Sequence, residues 1–162
     1  MTRPAGWRRN LLAFACGVLA TLTLPPFFLF PLIVPAYGGL YWLLCTPPAS
    51  GGGISMRRAF ADGWFWGWGF CISGLYWFCI ALLTEPDKFA WLIPFALFGL
   101  TAVIAVYFGV IGLLFSRIRV GGISGIFIFS VAWLLVEYAR GHLFTGFPWN
   151  LAGYGIGFSD AS

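Results

Sequence analysis

The stretch GWFWGWGFCISGLYWFCIALL, residues 63–83, carries no charged residue and is dense in glycine and aromatic rings. Gly63 and Gly67 stand four apart, and Cys71 and Gly74 continue the spacing along one helical face. Small residues let helix backbones approach closely, and in lipid this packing replaces the hydrophobic drive between helices. The run is therefore predicted as a membrane span over about 59–83, with Gly63, Gly67, Cys71 and Gly74 as its packing face. Trp64, Trp66 and Trp68 lie toward one end, and Tyr76 and Trp77 toward the other. Indole and phenol rings favour the headgroup level. The same rings can pack between helices or wall a lipid chain, and these readings stay open here. Asp62, where the helix starts, fits the positive end of the helix dipole.

The rest of the chain extends that reading. Of 162 residues, 60% are hydrophobic, 20% aromatic and only 9% charged, with mean hydropathy +0.90. Soluble domains carry about 25% charged residues, and a water-soluble fold of this length lacks the interior to hide so much apolar surface. The expected fold is an all-α integral membrane bundle of about five helices plus the start of a sixth. The spans fall at about 10–24, 28–45, 59–83, 89–115 and 120–138, within one helical domain covering 1–162. Residues 140–150 form an outer re-entrant or interfacial turn, and a further apolar segment opens at Leu151 and is cut short. The first span is short: about 15 residues give roughly 22 Å against a ~30 Å hydrocarbon core. Arg8 and Arg9 are expected to snorkel and extend its footing. No small-residue cleavage site follows WRRNLLAFACGVLATLTL (residues 7–24), so it reads as a retained span rather than a signal peptide.

Charge sets the orientation. Arg3, Arg8, Arg9, Arg57, Arg58, Arg117 and Arg119 share one side if the spans alternate, and only Lys88 and Arg140 fall on the other. Lys and Arg accumulate in cytoplasmic loops, so the N-terminus is expected in the cytoplasm and residues 137–150 on the outer face. The net charge of +4 is scattered between apolar runs, which argues for topology and against a nucleic-acid patch. Cys16, Cys45, Cys71 and Cys79 all sit in apolar runs without CxxC spacing, and one histidine completes no metal site with them. They read as small packing residues, and neither metal nor cofactor is expected. Glycines 153, 155 and 157 lack the spacing of a dinucleotide fingerprint.

The polar groups that remain gather in EYARGHLFTGFPWN, residues 137–150. Glu137 and Arg140 are i,i+3 on the last turn of the fifth span, where an ion pair offsets part of the cost of each charge. Gly141 can supply a left-handed stop, and Pro148 holds Phe147 extended. Ionisable residues at membrane depth are functional suspects, while an interfacial anchor is the plainer alternative.

Residues 136–154, VEYARGHLFTGFPWNLAGY, resemble the E-x-x-R-G-x-x-x-T-G-F-P-W-x-x-x-G-Y signature of the apolipoprotein N-acyltransferases. GWFWGWGFCISGLYWF (63–78) is similar to that family's third span, and FGVIGLLFSRI (108–118) to its fourth. The resemblance implies an enzyme of the bacterial inner membrane. It would move an acyl chain from a phospholipid, through a cysteine thioester, to the α-amino group of a diacylglyceryl-cysteine on an apolipoprotein. Donor phospholipid, apolipoprotein acceptor and membrane lipids are the implied partners. The family's Glu-Lys-Cys set lies in a nitrilase-like domain with no counterpart in these residues, so no catalytic residue is assigned and the chain alone is expected to be inactive. Glu137, Arg140, Thr145, Gly146, Phe147, Pro148, Trp149, Tyr76 and Trp77 become the lipid- or substrate-facing candidates. A membrane scaffold or lipid-binding subunit acting with a separate partner is the competing reading. A transporter is disfavoured, because the spans hold almost no ionisable residues at midplane.

Overall fold

A computed structural model describes residues 6–47, 53–118, 120–143, 146 and 149–155, with residues 154 and 155 described by backbone alone. The described residues are helical and turn structure without a strand. The helices are α1 (Trp7–Thr21), α2 (Ile33–Cys45), α3 (Met56–Leu75), α4 (Phe78–Leu82), α5 (Pro86–Phe89), α6 (Thr101–Ile118) and α7 (Gly122–His142). A 3-10 turn at Ala90–Leu92 and a π-helical stretch at Phe95–Leu100 join α5 to α6, so Pro86–Ile118 is one helical path. That path and Gly122–His142 are long and apolar enough to cross a membrane; Phe30–Cys45 is apolar but shorter.

The centre of the bundle is α3, packed between α6 and α1. A Cβ on Gly63 would strike the Phe108 carbonyl of α6, and one on Gly67 would strike the Phe108 ring. From the other side, Gly112 of α6 lies against the Ala59 carbonyl. Gly63 and Gly67 thus lie where α3 and α6 approach most closely. A second such face, absent from the sequence reading, meets α1: Gly69 abuts the Phe14 carbonyl, and Gly17 abuts the Trp66 carbonyl. Trp66 is fully buried and its Nε1 donates to the Ala36 carbonyl at 2.9 Å. Trp64 and Trp68 donate to the Ala102 and Phe98 carbonyls at 3.0 and 3.3 Å. These indoles are interhelical pins, and packing is the reading that holds for them.

Several expectations change. The first helix covers 7–21 rather than 10–24, and residues 22–29 form turns. The third span does not run unbroken to 83: α3 ends at Leu75 and α4 begins at Phe78. Ser73 donates back to the Gly69 carbonyl at 2.7 Å and contacts Thr21 Oγ1 at 2.6 Å. Such back-bonding bends helices; Gly74 stands just before the break, and no proline does. Arg9 does not snorkel and Asp62 is no mere dipole partner; both are fully buried and paired with each other. Arg9 also donates to the Thr46 carbonyl at 2.8 Å and to the Leu43 carbonyl, and Arg58 pairs with the same Asp62. The cluster ties α1, the end of α2 and α3 together. Cys16 and Cys71 are buried as expected, but Cys45 is exposed and Cys79 half-buried.

The bundle presents apolar residues outward. Ile123, Phe127 and Leu134 on α7 and Val103 on α6 are each about two-thirds or more exposed. An apolar face of that extent is covered by lipid or by protein.

Candidate functional site

The last two turns of α7 carry Val136, Glu137 and Arg140, and Arg140 points inward with 2% of its surface exposed. Its guanidinium lies 5.4 Å from the Phe108 ring centroid, a cation–π arrangement that stabilises most where water is excluded. The predicted pair with Glu137 exists but is long, 3.9 Å from Nη2 to Oε1. The closer contacts of both side chains are with the returning chain. Glu137 Oε1 accepts the Ala152 N–H at 2.9 Å, and Arg140 Nη2 donates to the Asn150 carbonyl at 3.5 Å. One helix face thus holds residues 150–152 at two points, as a clasp rather than an isolated ion pair.

Asn150 sits with φ of 53°, a left-handed conformation that asparagine tolerates better than most residues. Its side-chain amide rests on Gly74, where a Cβ would collide with Nδ2. Gly74 was expected to continue the helix-packing face. It is instead a seat for the turn, because α3 is about to bend away and no helix backbone reaches that position. Cys71 packs fully within the core one turn earlier and is among the polar neighbours of Arg140.

With the turn fixed, Trp149 reaches Trp77, centroid to centroid 5.5 Å at 62°. Both indoles line a cavity of about 240 Å³ with Leu75, Phe78, Leu97 and Leu100. Its walls are almost wholly apolar side chains. It lies between the α3–α4 bend and the π-helical stretch before α6, so regular helix gives way on both sides of it. π-Helical turns recur at functional sites.

Of the predicted site residues, Glu137, Arg140, Trp149, Trp77 and Gly74 come together around this turn. Tyr76 is 63% exposed and lines neither the cavity nor the clasp. Gly146 has φ of 70°, and its N–H donates to the Leu143 carbonyl at 3.0 Å. Gly146, like Asn150 and unlike Gly141, is left-handed; α7 runs through Gly141 to His142 and ends on an extended Leu143. Thr145, Phe147 and Pro148 lie outside the described residues. His142 is exposed, stacked on Tyr138, and takes no part in the clasp. Sequence reasoning missed Asn150, Ala152 and Phe108. Asn150 lay inside the quoted stretch, but its partner Gly74 is remote in sequence. Ala152 acts through its backbone, which no side-chain pattern signals. Among the described residues no group of three or more His, Cys, Asp or Glu side chains is placed to hold a metal ion.

A family model, the apolipoprotein N-acyltransferase N-terminal domain, matches residues 16–159. The chain belongs to the apolipoprotein N-acyltransferase family. Relatives agree. An apolipoprotein N-acyltransferase of Brucella melitensis is 40% identical over 152 residues, 92% of this chain and 29% of that protein. Those of Rhizobium rhizogenes and Allorhizobium ampelinum are each 39% identical, over 93% of this chain and 29% of their own length. The chain therefore spans under a third of the apolipoprotein N-acyltransferases it matches. The matched region contains the clasp, the Gly74 seat and both indoles of the cavity.

Proposed function

We propose that this chain is the amino-terminal, membrane-embedded part of an apolipoprotein N-acyltransferase of the bacterial inner membrane. In this reading α1, α2, α3 with α4, the path Pro86–Ile118 and α7 make five crossings, the N-terminus is cytoplasmic, and the clasp lies at the outer face. The reaction moves a fatty acyl chain from a phospholipid ester to a thiol and then to the α-amino group of a diacylglyceryl-cysteine. Covalent transfer through an activated thiol splits one difficult step into two. The described residues contribute no acid, base or thiol to it. Their part is to hold an acyl chain, in the cavity beside Trp77 and Trp149, at the depth where the thiol would work.

The observation that carries this reading is the fixed position of Trp149. Three contacts (Glu137 to Ala152, Arg140 to Asn150, and Gly74 of a different helix under Asn150) hold it over an apolar cavity. A turn needed only as an anchor would not require a glycine seat on another helix. The test is a chimera: the Brucella melitensis relative with its matching segment replaced by residues 7–155 of this chain. Mass spectrometry of a lipoprotein's N-terminal peptide should show the added acyl mass when the chimera is the sole source of activity. A folded chimera that adds no acyl group, beside an active parent, would leave the scaffold reading in its place.

A further inference from the structure

The cavity beside Trp77 and Trp149 has an exposed end and a buried end. Trp149 is 52% exposed and Trp77 42%, so the two indoles form its mouth. Leu75 and Thr101 line it too, and at 5% and 2% exposed they close it on the inside. The Thr101 hydroxyl donates to the carbonyl of Leu97 and, at 3.3 Å, to that of Phe98. With the hydroxyl spent on backbone, the inner wall stays apolar. Trp68 of α3 donates to the same Phe98 carbonyl at 3.3 Å. The π-helical stretch, which gives the cavity Ala96, Leu97 and Leu100, is thus tied down both by the residue that follows it and by the neighbouring helix. Its wall therefore has a fixed position.

We infer that this cavity gauges acyl-chain length: it receives the methyl-terminal part of the donor chain, and Thr101, Leu97 and Ala96 determine which length is selected. The inference rests on the acyl-transfer reading and adds a selectivity to it. Two observations give the direction of entry. An ester has acceptors that are costly to bury without donors, and the inner end offers none that is free, whereas Glu137, Arg140 and Asn150 all lie toward the mouth. The second is size. A methylene fills about the share of one liquid water, ~30 Å³, so about 240 Å³ takes roughly eight carbons, less than a long fatty acyl chain. The ester end therefore stays outside the mouth and the methyl end meets the inner wall. A chain that is too short leaves apolar space empty, and one that is too long holds its ester away from the thiol. One methylene in a hydrophobic pocket changes selectivity by about 10–200-fold; the lower end applies where the surplus carbon can rest in lipid.

The test gives the same full-length chimera an equimolar mixture of dilauroyl, dimyristoyl, dipalmitoyl and distearoyl phosphatidylethanolamine. Mass spectrometry of the lipoprotein's N-terminal peptide reads the ratio of added acyl masses. Ala96→Leu adds bulk to the wall and should move the ratio toward shorter chains by about tenfold or more. Leu97→Ala should move it toward longer ones. Thr101→Ser keeps the hydroxyl and removes one methyl, so it should move the ratio as Leu97→Ala does, by less. Gly63→Ala, at the α3–α6 contact and outside the cavity lining, should lower the yield of every chain and leave the ratio alone. A ratio unchanged in both Ala96→Leu and Leu97→Ala, or moved the same way by both, would overturn the inference. A second readout needs no acylation. In detergent with an equimolar amount of a phosphatidylethanolamine bearing a diazirine at the acyl terminus, Leu97 and Thr101 should be labelled, and Ala96→Leu should abolish that label. A diazirine beside the ester carbonyl should leave both residues unlabelled. Equal labelling by the two probes would overturn the gauge, whereas terminal labelling in an inactive chimera would remove the functional reading alone.

Discussion

Arg9 and Asp62, 53 residues apart in sequence, meet with both side chains fully buried and 2.8 Å between Nη2 and Oδ2. The pair joins α1 to α3, and Arg9 continues to the carbonyls that end α2. Removing one partner of a buried pair strands the other charge and costs about 3–5 kcal/mol, whereas replacing both by apolar residues can be near neutral. Asp62→Ala should therefore lower the thermal midpoint in detergent far more than Arg58→Ala, since Arg58 is partly exposed. An Arg9→Met, Asp62→Leu double variant should recover part of the loss. Equal destabilisation by Asp62→Ala and Arg58→Ala would contradict the central role of the Arg9 pair.

The α3–α6 contact predicts a graded glycine series. At Gly63 the obstacle to a Cβ is the backbone of Phe108; at Gly67 it is the Cβ and ring of the same residue, itself buried. Gly63→Ala and Gly67→Ala are each expected to cost about 1–3 kcal/mol by overpacking. Gly99→Ala, with open space around it, should be neutral or slightly stabilising. Denaturation of the three variants under matched conditions checks the order.

Glu137 offers two separable contributions, an acceptor for the Ala152 N–H and a charge beside Arg140. Glu137→Gln keeps the acceptor and loses the charge. Glu137→Ala loses both and leaves a buried guanidinium without its carboxylate. If the clasp works mainly by holding the turn, Glu137→Gln should keep substantially more activity than Glu137→Ala in the full-length chimera. Equal losses would assign the effect to charge alone.

Gly74 and Asn150 should show reciprocal behaviour. Gly74→Ala drives a methyl into the Asn150 amide and should reduce acylation by displacing Trp149. Adding Asn150→Ala removes the obstructing amide and should restore part of that activity. The comparison of the two rates in the same acylation assay decides it; a double variant worse than both singles would contradict the seat.

Local periodicity carried much of the fold into view. The spacing of Gly63 and Gly67 predicted a packing face that α6 occupies, and the i,i+3 spacing of Glu137 and Arg140 placed them on one face. What local pattern could not reach is pairing across the chain. Arg9 and Asp62 each had an adequate local explanation, so neither signalled the other. The bend after Leu75 carries no proline or charge and follows from Ser73 and its contact with Thr21. The site was half legible: its residue types stood out, but the contacts that fix Trp149 run through a glycine seat and a backbone N–H on separate elements.

In the function we propose, the clasped turn, through Trp149, forms the acyl-chain side of the transfer site. The most direct measurement is N-acylation by the chimera carrying Trp149→Ala, Glu137→Ala or Trp64→Ala, at matched expression. Trp64 pins α3 to α6 away from the cavity lining, so its loss should leave most of the activity. Trp149→Ala and Glu137→Ala should each lower the rate well below that of Trp64→Ala. Equal rates for all three would contradict the claim.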